Sequence, residues 1–282
     1  MQEKADLTDI ALTICKTQRM IFRGKVGEGA FKQTFHVENE NSVSFALKLY
    51  NINAGPERII REIEAMAKCS HTAIARIFKV DTFLFNGSQY VFTLEEFLSG
   101  GTLHHRLADR GLLNRLTVLE FGNQLLSAIA YIASLGLVHR DIKPENILFR
   151  DERFNPVITD FGIVRDLNAE SLTATWFAHG PGTPYFAAPE QMNNEKHMTD
   201  WRTDQFSCGI VLSICAFSLH PYDYGRDETL LAMAERRETT KAFKEAIDRY
   251  RYPVLGRMVE GWPVKRYRNV NELIRDWNAQ GD

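Results

Sequence analysis

Residues 137–149 read LVHRDIKPENILF. Six ionisable or amide side chains, His139, Arg140, Asp141, Lys143, Glu145 and Asn146, stand between the apolar Leu137-Val138 and Ile147-Leu148-Phe149. The apolar flanks call for burial, and a lone polar group taken out of water without a partner costs about 2–7 kcal/mol. The segment is therefore tolerated only where its polar groups face a ligand or one another. No other stretch limits the fold so narrowly.

Composition sets looser bounds. The 282 residues suit one large domain or two lobes, and they are enough to bury a substantial core. With 44% hydrophobic and 25% charged residues, the chain has the balance of a soluble globular protein rather than a disordered one. A net charge of -2 gives no bulk attraction for nucleic acid or an acidic membrane. No apolar run reaches the ~18 residues of a membrane span. The start, MQEKADLTDI, is unlike a secretory or transit leader. Cys15, Cys69, Cys208 and Cys215 form no C-x-x-C pair, which argues against a zinc or redox site. Scattered cysteines fit a reducing compartment, and a cytoplasmic protein is expected.

The first hundred residues are rich in short strand-like runs. RMIFRGKVGEGAFKQTFHVEN reads as a hairpin, SVSFALKLY as a third strand, and the runs flanking Asn86-Gly87 as a second hairpin. PERIIREIEAMAKCS has helical spacing, with Pro56 at its start. Beyond Gly100-Gly101 the pattern turns helical. A long helix ends at Gly136, and further helical stretches cover 204–219, 227–250 and 269–278. The expected architecture is α+β. A small strand-rich lobe with one helix (21–97) follows an N-terminal extension (1–20) and precedes a larger helical lobe (98–282). Clefts between lobes are common ligand sites.

Gly27 and Gly29 flank Glu28 between two strands, where bare backbone N–H groups can approach a phosphate. Alone, such a pair more often marks a plain hairpin turn. Lys48 sits among apolar residues on a strand, and its ammonium needs an anion if it is not merely snorkelling. Glu62 falls on the apolar stripe of its helix and needs a cation. Together they read as an ion pair bordering a phosphate site. In HRDIKPEN, Asp141 is suited to accept the proton of an attacking hydroxyl, with Lys143 balancing charge on the transferred phosphate. Asn146 and Asp160, the latter closing VITD before Phe161-Gly162, offer the hard oxygen ligands that Mg²⁺ prefers.

From about Ile21 to Trp277 the chain resembles the eukaryotic-type (Hanks-type) protein kinases, whose motifs recur here in the family's order. The resemblance implies a bilobal kinase fold, with a β-rich small lobe carrying one regulatory helix and a mainly helical large lobe. It implies ATP and Mg²⁺ (or Mn²⁺) as nucleotide and metal, and Val26, Gly27, Gly29, Ala46, Lys48, Glu62, Glu96 and Leu98 as the nucleotide-contacting set. GTPYFAAPE (182–190) is similar to the family's peptide-docking segment, and TDQFSCG gives Asp204 as an anchor of the large lobe. Arg266 in VKRYRNVNEL is then the partner of Glu190. Lys143 with Thr183 is the serine/threonine pattern, and GTPYFAAPEQ with KRY is similar to bacterial members. Protein substrates with Ser/Thr acceptors are implied; a regulatory partner or a dimer is compatible, and nucleic acid is not called for.

Three departures stand out. Lys32 and Thr34 occupy positions where the family carries the third glycine and a valine. Counting back from Gly100-Gly101 puts Glu95 at the back of the adenine pocket, where relatives usually have an apolar residue or threonine. A one-residue gap would put Leu94 there instead. A carboxylate in that place either forms a salt link or bonds the adenine amine. WFAHGPGT is about two residues longer than usual. Arg140 before the catalytic aspartate implies control by a phosphate of about −1.5 to −2 charge in the activation segment, which gathers basic groups. The acceptors there are Thr175, then Thr173 and Ser171, beside Trp176 and Phe177. His104-His105 reads as a solvated helix start, and Cys208 and Cys215 as core. The leading expectation is an active serine/threonine kinase, with turnover of roughly 1–100 s⁻¹ for typical relatives. The alternatives are a pseudokinase acting as a binding module, or a small-molecule phosphotransferase, a class without the docking segment and the Arg266–Glu190 pair.

Overall fold

Asn86 and Gly87 both take positive φ, 49° and 81°, the two left-handed positions that a tight hairpin turn needs. They join two strands of a five-stranded antiparallel sheet in a computed structural model. The structure describes residues 6–29, 32–50, 60, 63–64, 66–111, 113–161, 184–225, 228–229 and 232–281. The chain falls into two units, one of residues 1–70 and 75–99, the other of 71–74 and 100–282.

In the first unit the strands are β1 (Ile21–Glu28), β2 (Lys32–Glu38), β3 (Ser44–Tyr50), β4 (Ile77–Phe85) and β5 (Ser88–Glu96), in the order β1-β2-β3-β5-β4. The register sets Thr34 opposite Lys48, Lys48 opposite Thr93, and Ala46 opposite Glu95. Side chains alternate along a strand, so Thr34, Ala46, Lys48, Thr93 and Glu95 share one face. Phe35, Val37, Leu47, Leu49, Phe92 and Leu94 share the other, which is the apolar core of the unit.

Helix α1 (Thr8–Thr17) seals that core. Ile10, Ala11, Ile14 and Cys15, with Leu7 just before the helix, are buried against the sheet residues. They recur at the 3–4-residue spacing of one helical face. The Leu7 amide donates to Gln33 Oε1 at 2.9 Å, pinning the helix start to β2. The stretch from Leu7 to Cys15, within the 1–20 segment set apart as an extension in the sequence reading, thus supplies core side chains to this unit. Of the expected helix after Pro56, residues 60, 63, 64, 66 and 67 are helical and Ile63 is buried; Pro56 and Glu62 lie outside the described residues.

The second unit is mainly helical. Among the described residues its helices are α2 (Leu103–Arg110), α3 (Arg115–Ser134), α4 (Pro189–Met192), α5 (Trp201–Phe217), α6 (Lys241–Tyr250), α7 (Pro253–Met258) and α8 (Val270–Asn278). Side chains of Thr102, Asn114, Asp200, Thr240 and Asn269 cap five of them by accepting first-turn amides. Gly136, with φ of 71°, follows α3 where the sequence predicts a stop. By length and apolarity α3 would pass for a membrane span. It is a core helix here, with Leu125, Leu126, Ala128 and Ile129 fully buried, and Trp277 of α8 donates to the Leu119 carbonyl at 3.0 Å.

The single helical stretch expected over 227–250 is interrupted. A π turn covers Ala232–Arg236, Arg237 turns left-handed at φ 55°, and Thr240 opens α6. Arg237 is held there by both oxygens of Glu195 at 2.8 Å and by the ring of Trp262 at 3.9 Å. Those distant partners outweigh the local helical preference of AERRETTK. Cys208 and Cys215 lie buried in α5, where desolvation pushes both thiols up and leaves them inert as core.

Candidate active site

The catalytic-loop residues are held from beneath by one buried carboxylate. Asp204, in the first turn of α5, accepts the His139 amide at 2.7 Å through one oxygen and the Arg140 amide at 2.8 Å through the other. Burial pushes this carboxyl up to about 7, against the pull of those two N–H bonds. His139 is fully buried. Its Nδ1 accepts the Asp141 amide at 3.3 Å, so Nε2 carries the proton and donates to the Thr159 carbonyl at 3.2 Å. One imidazole therefore ties Asp141 to the residue immediately before Asp160.

Asp141 is also gripped from its other side. Asn146 Nδ2 donates to its carbonyl and to Oδ2, both at 2.8 Å, and Lys143 Nζ lies 3.0 Å from Oδ2. The carboxylate has a fixed orientation and a cation beside it, which suits a group that must orient a hydroxyl and take its proton. Strands β6 (Ile147–Phe149) and β7 (Pro156–Ile158) form a short antiparallel pair with Ile147 opposite Ile158. The Thr159 amide donates to the Asn146 carbonyl at 2.9 Å. Asn146 and Asp160 therefore leave the same end of one hairpin. Asn146 spends Nδ2 on Asp141, so the hard oxygen Oδ1 is the atom it offers to a cation. Asp160 adds a carboxylate. Two such oxygens fit Mg²⁺, which usually keeps several waters and shares phosphate oxygens rather than sitting in an all-protein cage. Among the described residues no group of three His, Cys, Asp or Glu forms such a cage.

Arg140 and Asp160 each hold φ of 66°. Left-handed backbone costs a non-glycine residue of order 1–3 kcal/mol, and such strain gathers at functional sites. The loop is also tied to the segment around α4. Gln191 Nε2 donates to the Arg140 carbonyl at 3.0 Å, while its Oε1 accepts the Ala188 amide at 3.2 Å. Sequence reasoning did not single out Gln191. Its only signal was its place directly after Ala188-Pro189-Glu190. Glu190 and Arg266 form a two-pronged ion pair, 2.7 and 2.9 Å, with both side chains fully buried. Thr203 adds a hydrogen bond to Glu190 at 2.9 Å.

In the first unit, Lys48 and Glu95 meet on the polar face of the sheet. Nζ stands 2.6 Å from Oε2, and both side chains are about 5% exposed. Thr93 Oγ1 donates to the other Glu95 oxygen at 2.8 Å. Of the two residues considered for the back of the adenine pocket, Glu95 shares the face of Lys48, whereas Leu94 points into the α1 core. The glycine pair behaves as a strand connection: Gly27 pairs with Thr34, and the Gly29 amide donates to the Lys32 carbonyl at 2.8 Å. Val26 is exposed, Ala46 and Leu98 are buried, and the Glu96 amide donates to the Arg76 carbonyl. Glu62, Ser171, Thr173, Thr175 and Thr183 lie outside the described residues.

The model of the protein kinase domain matches residues 21–271. The chain belongs to the protein kinase family. CBL-interacting protein kinase 11 of Oryza sativa subsp. japonica is 31% identical over 216 residues, which is 74% of this chain and 41% of that protein. CBL-interacting serine/threonine-protein kinase 7 of Arabidopsis thaliana is 28% identical over 259 residues, 90% of this chain and 58% of its own length. The chain spans about half the length of these curated relatives. Among solved structures, Rad53 1–466 in complex with AMP-PNP matches with a TM-score of 0.72 and 22% identity, covering 95% of this chain and 69% of that one. That likeness establishes the kinase fold, a β-sheet lobe and a helical lobe. None of these relatives bears on the bacterial likeness.

Proposed function

We propose that this kinase-family chain is an active, ATP·Mg-dependent serine/threonine protein kinase, transferring the γ-phosphate to protein hydroxyls. The observation that carries the reading is the loop of residues 139–146, where Asp204 and His139 fix the backbone and Asn146 and Lys143 fix the Asp141 carboxylate. Asp141 orients the acceptor hydroxyl and takes its proton at a carboxylate oxygen. Lys143, 3.0 Å from that carboxylate, offsets negative charge gathering on the phosphate. Lys48 binds phosphate oxygens as a point charge. Asn146 and Asp160 are the residues that would hold magnesium (or manganese), which supplies charge neutralisation on the phosphate oxygens when bound. The buried Glu190–Arg266 pair anchors the end of the 182–190 segment that resembles the family's peptide-docking segment. This feature favours a protein acceptor over a small alcohol.

Regulation is part of the proposal. Arg140 receives a phosphate placed on Thr175, Thr173 or Ser171 by the kinase itself, and mass spectrometry of protein incubated with Mg·ATP reads this out. An unmodified 166–183 peptide from active protein removes it. The resemblance to CBL-interacting protein kinases supports a regulatory protein partner as a further element. Four buried, free cysteines fit the proposed cytoplasmic setting.

The Lys48–Glu95 pair favours one other reading, a binding module whose lysine is spoken for. A ³²P-transfer assay on a generic acceptor protein separates the two. The kinase reading predicts transfer by the parent and its loss in Asp141→Asn. No transfer by the parent, with Asp141→Asn behaving the same, favours the module.

A further inference from the structure

The lysine of the phosphate site has a partner that the family pattern does not provide. Lys48 and Glu95 lie on neighbouring strands β3 and β5, on one face, with Nζ and Oε2 2.6 Å apart and both groups almost wholly removed from water. Three features make this a built arrangement rather than a chance surface pair. The backbone register, with Lys48 opposite Thr93 and Ala46 opposite Glu95, brings the two side chains together across neighbouring strands. Thr93, itself fully buried, spends its hydroxyl on the second carboxylate oxygen at 2.8 Å, so the carboxylate is held at both ends. A carboxylate with these partners at this depth forms charge-assisted bonds, which are shorter and stronger than neutral ones.

The consequence concerns where the ammonium points. An ammonium carries three donors, so a bond to Glu95 does not exclude bonds to phosphate oxygens. A buried lysine left to itself explores many rotamers of a four-carbon stem, and fixing them is an entropy cost that ligand binding must otherwise meet. Glu95 meets it in advance, from inside the sheet.

We propose that Glu95 is a positioning residue for the phosphate-binding ammonium: with Thr93 it holds Lys48 in its binding geometry from within the β-sheet. This rests on the kinase reading for its effect on turnover, but the holding of Lys48 stands apart from it.

The test uses the full chain and three variants. Glu95→Gln keeps the shape and the acceptor for Thr93 but removes the charge. Glu95→Asp keeps the charge on a shorter arm. Lys48→Met marks the loss of the anchor. The first readout is independent of catalysis: the rate at which an amine-acylating reagent labels Lys48, followed by mass spectrometry at neutral pH. Only the neutral amine reacts, and a carboxylate in contact favours the ammonium. Glu95→Gln is expected to label several-fold faster than the parent, with Glu95→Asp between them. The second readout is kinetic. Loss of an interaction that serves ground and transition states alike raises KM and spares kcat, so Glu95→Gln is expected to raise KM for ATP about tenfold with kcat changed far less. Thermal melts check that the variants fold; Glu95→Asp supplies the comparison if Glu95→Gln does not. Labelling of Lys48 at the parental rate in the folded variants overturns the proposal, as does a parental KM for ATP. A parent that transfers no phosphate, yet shows the labelling difference, defeats the kinase reading and leaves the positioning of Lys48 standing.

Discussion

Replacing Arg266 by methionine removes the cation of a pair that has no access to water. Glu190 and Arg266 are both fully buried, joined by two bonds of 2.7 and 2.9 Å. The guanidinium also donates to the carbonyl of Glu260 at 2.7 Å and of Arg202 at 3.0 Å, and stacks 4.6 Å from the Phe206 ring. Methionine fills much of the volume but serves none of these acceptors. Glu190 keeps only the Thr203 hydroxyl among these bonds. Stranding one charge of a buried pair costs about 3–5 kcal/mol. The two carbonyls add to this, though not additively. A loss of that size lowers Tm by roughly 6–20 °C in a domain of this class. Urea unfolding followed by circular dichroism measures it. The double variant Glu190→Gln with Arg266→Met should recover part of the loss, because removing both charges is cheaper than stranding one. An Arg266→Met midpoint within about 1 kcal/mol of the parent refutes the reasoning, since surface-like substitutions fall in that range.

Three further outcomes follow from the same physics. Asp204 has an ordinary value of 3.8, raised by burial to about 7 in the fold, so the native state binds this proton more tightly than the unfolded chain. Its contribution is complete below about pH 4 and is lost as pH rises through 7; Asp204→Asn should flatten that part of a stability-versus-pH profile measured by chemical denaturation. Ile14→Ala in α1 should cost about 2–5 kcal/mol in the same assay, as for a fully buried core side chain, where a detached extension would cost nothing. Gly100→Ala should lower Tm by several degrees in differential scanning calorimetry, because its new Cβ would collide with the backbone carbonyls of Asp151 and Phe149.

Much of the site was legible because its chemistry needs particular residue types at fixed spacing. Asp141, Lys143 and Asn146 stand within one loop, and the structure puts them in mutual contact. The Asn86-Gly87 turn and the Gly136 stop were likewise local signals, each set by a positive φ. Other features depended on register or on remote partners. The pairing of Lys48 with Glu95 follows from β3 lying beside β5 with Ala46 opposite Glu95, a pairing no local pattern specifies. Arg106 braces the loop after β6 by donating to the carbonyls of Gly100 and Arg153 and lying 3.7 Å over Phe149. Carbonyl partners leave no trace in side-chain patterns. Helix α1 was legible in principle, because Leu7, Ile10, Ala11, Ile14 and Cys15 carry helical spacing, but nothing local says that this face packs on the sheet.

The most direct measurement of the central claim is the appearance of phosphate on serine and threonine in a defined protein or peptide library incubated with Mg·ATP and either the parent or Asp160→Ala. The account predicts phosphorylated serine and threonine with the parent and at least a hundredfold less with the variant, on the order of the charge stabilisation that one such group supplies. Equal phosphorylation by both, or none by a parent that binds nucleotide, would contradict it.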